Sequence, residues 1–193
     1  MMKKALVLGV TVCLSAGLGP PRRETSYQGL VCRGVEESGR LIIGQPGFGP
    51  HLVSLFVTGP NPLSASQTTA EHLAWVNDPR HSYVADGTGG LAVWAHPHDE
   101  DIDSILGLPG LHGIEVHYGG DGVSRDRLWD AVLRGCLEAR RPLLWGFAAD
   151  DTHSLERIGL SWFAARLAKQ DEFSLKAALR DGACYVSNGP VIE

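Results

Sequence analysis

The stretch Gly89-Gly90-Leu91-Ala92-Val93-Trp94-Ala95-His96-Pro97-His98 decides how this chain is read. Leu91 to Ala95 is a near-continuous apolar run with no polar alternation. That pattern suits a strand buried on both faces. The glycine pair marks its entry. His96 comes directly after it, and the carboxyl ends of strands are where α/β sheets and barrels keep their active sites.

Similar runs lie on both sides. Leu30–Val35, His51–Thr58, Gly113–Tyr118, Leu143–Ala148 and Ala183–Ser187 read as strands. Leu41–Ile43 is a short apolar run, Gly44–Pro50 a loop, and Gly159–Ala168 an apolar, extended segment. Thr69–Asn77 reads as a helix with Leu73 and Val76 on one face. Asp99–Leu106 opens with carboxylates that suit a helix N-terminus. Arg125–Glu138 is amphipathic, with Leu128, Ala131, Val132 and Leu133 inward. Glu172–Leu179 is a helix stopped near Gly182. The β–α alternation implies a mainly parallel sheet with helices outside, as an open doubly wound sheet or a closed barrel.

The 193 residues suffice for one domain with a real core. Hydrophobic residues at 44% and charged residues at 20% exclude a disordered or fibrous chain. A net charge of -5 attracts neither nucleic acid nor anionic lipid, so no nucleic-acid partner is expected. The apolar run Ala5–Leu14 is too short to span a bilayer and no later segment looks transmembrane, so no stable membrane insertion is expected. Cys13, Cys32, Cys136 and Cys184 form no C-x-x-C pair and read as small buried thiols. Neither a G-x-G-x-x-G after a strand nor a P-loop is present.

The N-terminus has two readings. Met1–Lys4 is basic, Ala5–Leu14 apolar and Ser15-Ala16-Gly17 small, as in a secretory signal. The rival is a helix end at Lys3–Leu8, Gly9, and a strand at Val10–Leu14. The first implies a secreted or periplasmic protein, the second a cytoplasmic one.

Metal-type ligands fall at three strand ends: Glu36 after Leu30–Val35, His96 after Leu91–Ala95, and Asp150, Asp151 and His153 after Leu143–Ala148. Imidazole and carboxylate suit zinc, iron or manganese, and such an ion activates water for hydrolysis. Asp150 and Asp151 also suit capping of backbone N–H groups. His72 reads as a surface residue; His81, His98, His112 and His117 read as structural.

In order along the chain, Gly34-Val35-Glu36, Pro50-His51-Leu52, Ala95-His96-Pro97, Ile114-Glu115-Val116, Trp129-Asp130 with Leu133 and Gly135, and Asp151-Thr152-His153 resemble the PHP (polymerase and histidinol phosphatase) superfamily. The CehA/McbA-type metallohydrolases are the most similar branch. Ala178 to Gly182 and Tyr185 to Pro190 fit that branch too. The resemblance covers 30–193 as a metallohydrolase domain and leaves 1–29 as a degraded or alternative βα element or a signal-like segment.

The resemblance implies a distorted (β/α)7 TIM-like barrel with a cluster of zinc, manganese or iron ions. It implies Glu36, His51, His96, Asp151 and His153 as metal ligands. His153 or His96, if left off the metal, would be a catalytic proton donor. The substrate class implied is a small-molecule phosphoester or related ester. Glu115 matches a position that is not usually a ligand.

The departures lie at the front. The family's opening His-x-His strand is missing, and Leu14 to Gly17 stands where Thr-Asp-His is usual. Such a barrel lacks its first strand and at least one metal position. The alternative to a metal-dependent hydrolase is therefore a non-catalytic, truncated remnant or pseudoenzyme.

Overall fold

The computed structural model describes the backbone of residues 34–38 and residues 50–62, 67–118, 124–150 and 160–188. Its larger sheet holds β1 (Gly34–Ser38), β2 (His51–Leu55), β3 (Leu91–Ala95), β4 (Gly113–Tyr118) and β5 (Trp145–Ala149), side by side in that order. A second, two-stranded antiparallel sheet joins β6 (Trp162–Ala165) to β7 (Cys184–Ser187). The helices are α1 (Thr69–Val76), α2 (Ile102–Gly107), α3 (Asp126–Glu138) and α4 (Glu172–Arg180).

The chain is α/β, as its alternation implies, but the sheet is mixed rather than mainly parallel. β2 runs antiparallel to both β1 and β3, while β3, β4 and β5 are parallel. An apolar run reports burial on both faces and carries no information on direction. Among the described residues the larger sheet stays open and does not close into a barrel.

Several strand bounds also shift, among them β5, which begins at Trp145 and not at Leu143. β1 occupies Gly34–Ser38, because its pairing runs from Gly34↔Leu55 to Ser38↔His51. Glu36 therefore lies within the strand, opposite Val53, and not past its end. β2 ends at Leu55, three residues before Thr58, because Phe56 turns to φ +62° and breaks the pleat.

Each face of the sheet has its own core. Leu52, Ala92, Trp94, Ile114 and Val116 pack against Leu73 and Val76 of α1, Ile105 of α2, and Leu128 and Val132 of α3. Val53, Leu55, Leu91, Val93, Ala95 and Phe147 pack against Phe163 and Ala165 of β6 and Leu175 and Leu179 of α4. Burying each of the larger aliphatic and aromatic side chains among them stabilises the fold by about 1.5–3 kcal/mol.

Local signals explain the helix ends. Thr68 and Glu71 form a reciprocal capping box at the start of α1. Asp171 accepts from the Ser174 N–H at 2.7 Å and starts α4. Gly182, at φ +70°, ends α4 in the left-handed turn that lets the Ala183 N–H reach the Ala178 carbonyl.

His72 is buried, not on the surface. Its ring is 3.0 Å from Asn61 Nδ2 and 3.3 Å from Ser54 Oγ. Both ring nitrogens thus have polar partners, which is what makes its burial tolerable.

Candidate functional site

The antiparallel course of β2 solves a problem the sequence poses. His51 begins a strand, whereas active-site residues of α/β sheets usually follow one. Because β2 runs against β3, its first residue lies beside the last of β3, and His51 pairs with Ala95. The start of β2 and the ends of β1, β3, β4 and β5 therefore share one edge of the sheet.

Two of the anticipated ligands meet there. His51 Nδ1 and His96 Nε2 are 3.0 Å apart, with the rings edge-to-face at 77° and their centroids separated by 4.7 Å. This is a hydrogen bond in which one ring donates and the other accepts. Imidazole nitrogen is a donor type that suits first-row metals.

His96 itself has φ +33°, a left-handed conformation rare for a residue with a side chain. Its backbone N–H donates to Glu115 Oε2 at 2.8 Å, and Glu115 is only 4% exposed. On its other side, the Pro97 carbonyl accepts from Arg125 Nε at 2.9 Å. Arg125 is itself buried, and its own N–H donates to the Val116 carbonyl. That carbonyl sits at an irregularity in β4, where Glu115 and His117 oppose the consecutive residues Phe147 and Ala148. The extra residue is a β-bulge, a device that re-aims side chains at sheet edges.

Beside this edge, Asp99, Ser124, Arg125, Asp126, Arg127 and Leu128 line a cavity of about 420 Å³. It combines two guanidinium groups and a hydroxyl with two carboxylates.

Asp150 follows β5 at the same edge. Its Oδ1 accepts from the Ser161 N–H at 2.8 Å and ties the start of β6 to the end of β5. This is the backbone-binding role that its residue type allows. Asp151 and His153 lie outside the described residues, as does the side chain of Glu36. Among the described residues, no group of three or more His, Cys, Asp or Glu gathers closely enough to hold an ion.

Two further histidines have structural partners. His81 stacks on Trp75 at 4.3 Å, and His112 Nδ1 accepts from the Ala92 N–H at 3.1 Å. His112 lies before β4, at the opposite end of the sheet from the His51–His96 pair. Burial, reinforced by the positive charges of Arg180 and Lys176, pushes its pKa down to about 4. Cys136 is buried and Cys184 half-buried, with burial raising the Cys184 thiol to about 11; Cys13 and Cys32 lie outside the described residues.

Two groups escaped the sequence reading. Lys176 is fully buried on α4, its ammonium donating to Ser82 Oγ, Asp86 Oδ1 and the Thr88 carbonyl at 2.8–3.1 Å. The signal was a lysine between Leu175 and Ala178 on the inward stripe of a helix. The contact of Glu115 with His96 was also missed, although a carboxylate within an apolar strand is itself a sign of a specific partner.

No helix among the described residues is long and apolar enough to cross a membrane. Comparison with models of known protein families finds no match to the chain. Comparison with curated proteins finds no significant similarity either.

Proposed function

We propose that the chain is a metal-dependent hydrolase of PHP type acting on a phosphoester or related ester, its site at the sheet edge that carries His51 and His96. The observation that supports this most is the 3.0 Å approach of the two imidazoles. They come from strands 45 residues apart in sequence, at the edge where such enzymes work. A distorted (β/α)7 barrel is the fold this reading takes. β1, β3, β4 and β5 running in one direction support it, while β2 runs against them.

His51 and His96 would hold the ion, with Glu36, Asp151 and His153 completing the set by resemblance. When bound, zinc, manganese or iron supplies Lewis acidity and an activated water. The chain's own residues do the rest. The exposed Ser124 and Arg127 offer hydrogen-bond donors in the adjoining cavity to an anionic substrate group. A histidine left off the metal, His96 or His153, can carry a proton to the leaving group.

The test is metal analysis of purified protein, with hydrolysis of p-nitrophenyl phosphate, its diester and a carboxyl ester before and after adding manganese or zinc. The reading expects bound transition metal, metal-stimulated turnover, and loss of both in His51→Ala. A protein that binds no transition metal and gains no hydrolysis from either ion refutes it.

A further inference from the structure

We infer that Glu115 is a positioning residue, whose buried carboxylate fixes the backbone turn that brings the His96 ring to His51. The functional meaning rests on the proposed role of that pair, but the geometry stands without it.

The argument starts from strand alternation. Ala95 is directly opposite His51, so both face the same side of the sheet. A regular continuation of β3 would send the next side chain, His96, to the other side, toward the helices. Instead His96 turns to φ +33°, the alternation breaks, and its Nε2 reaches His51 Nδ1. A side-chain-bearing residue adopts that backbone reluctantly. Pro97, next in the chain, restricts the residue before it further. Something must hold the turn.

Glu115 is placed to do so. The β3–β4 ladder ends at Trp94↔Ile114, one residue short of Ala95. Beyond it, the Glu115 carboxylate takes the His96 N–H at 2.8 Å. A carboxylate suits the task because it only accepts, and a charge-assisted bond is stronger than a neutral one. Its depth, at 4% exposure, shields the bond from water. Arg125, gripping the Pro97 carbonyl, secures the following residue. Glu115 thus acts through His96, and the pair's 3.0 Å spacing is its product.

The test compares wild type with Glu115→Gln, which keeps an acceptor, and Glu115→Leu, which removes it. The first readout is made on metal-free protein: long-range ¹⁵N–¹H spectra of the His51 and His96 rings, and hydrogen–deuterium exchange of the His96 amide. Wild type is expected to show one shared ring hydrogen bond and a protected His96 amide, and Glu115→Gln to retain both. Glu115→Leu, with folding checked by its amide spectrum, is expected to give two independent rings. The second readout is zinc affinity by calorimetry, expected to fall about 10–100-fold in Glu115→Leu, as when a metal ligand loses its supporting partner.

An unprotected His96 amide in wild type overturns the inference without any variant. So does a folded Glu115→Leu that keeps the paired ring spectrum, or a Glu115→Gln as disturbed as Glu115→Leu. If wild type binds no zinc, the hydrolase proposal falls, while the ring spectra still decide the role of Glu115.

Discussion

Replacing His112 by Asn should flatten the acid side of the protein's stability curve. The His112 ring accepts the Ala92 N–H through Nδ1, so the folded state needs that nitrogen unprotonated. Burial comes first in lowering its pKa from 6.5 to about 4, followed by the charges of Arg180 and Lys176. Asp86, at 2.8 Å from Lys176 and 3.9 Å from Arg180, partly offsets those charges. A histidine that folds neutral makes the unfolded state the better proton acceptor between these two pKa values. Its stabilisation is therefore complete above pH 6.5 and is lost as pH falls toward 4. At 1.36 kcal/mol per pKa unit, the full shift corresponds to at most about 3.4 kcal/mol. The ring borders an open cavity of about 210 Å³ beside Arg180, and water there reduces the effect. Asn can keep the acceptor to Ala92 and does not titrate. Urea unfolding of both proteins at intervals from pH 7 to 4 is the assay, and the pH dependence of their difference is the quantity sought. It removes the carboxylates that both chains share. The gap should narrow by about 1–3 kcal/mol on acidification. Parallel curves would show that His112 folds with an ordinary pKa and would refute the reasoning.

Lys176→Met should destabilise the fold by about 3 kcal/mol in urea unfolding at pH 7, the low end for a broken buried pair because Asp86 is partly exposed. Burial alone would raise the pKa of Asp86, but Lys176 and Thr88 outweigh it, so the same variant should raise that carboxyl in an NMR titration. Gly182→Ala should cost about 1–2 kcal/mol from its φ of +70° alone. It should cost more because the new Cβ would meet the Trp145 ring at 2.5 Å. A melting temperature equal to wild type would show that this turn relaxes freely.

Most elements were legible because they rest on local patterns. The unbroken apolar run of β3 and the amphipathic stripe of α3 each name their element. What local pattern does not encode is pairing. The direction of β2 and the bounds of β1 follow from a ladder between segments separated by a loop, and so Glu36 was placed past a strand that in fact contains it. His72 is a different failure. It sits on the stripe Thr69, His72, Leu73, Val76, all of which are buried. The period was visible, but a histidine suggested surface until Asn61 and Ser54 supplied its partners. Lys176 escaped for the same reason, since Ser82, Asp86 and Thr88 are about 90 residues away in sequence.

The candidate site was half legible, and the division follows chemistry. Residue type nominated His96 and Asp150 at strand ends, but only the fold separates their tasks: His96 meets another imidazole, while Asp150 takes the Ser161 backbone. His51 came by resemblance alone, since a residue opening a strand has no local reason to reach the carboxyl edge. The antiparallel pairing of β2 with β3 provides that reason. It also means that the spacing of the imidazole pair depends on the short register His51↔Ala95 and the turn at His96, not on the long connection between the strands. Substitutions at exposed positions of that connection, away from its packed residues, should therefore leave the pair intact, whereas a one-residue slip of β2 would turn His51 to the opposite face.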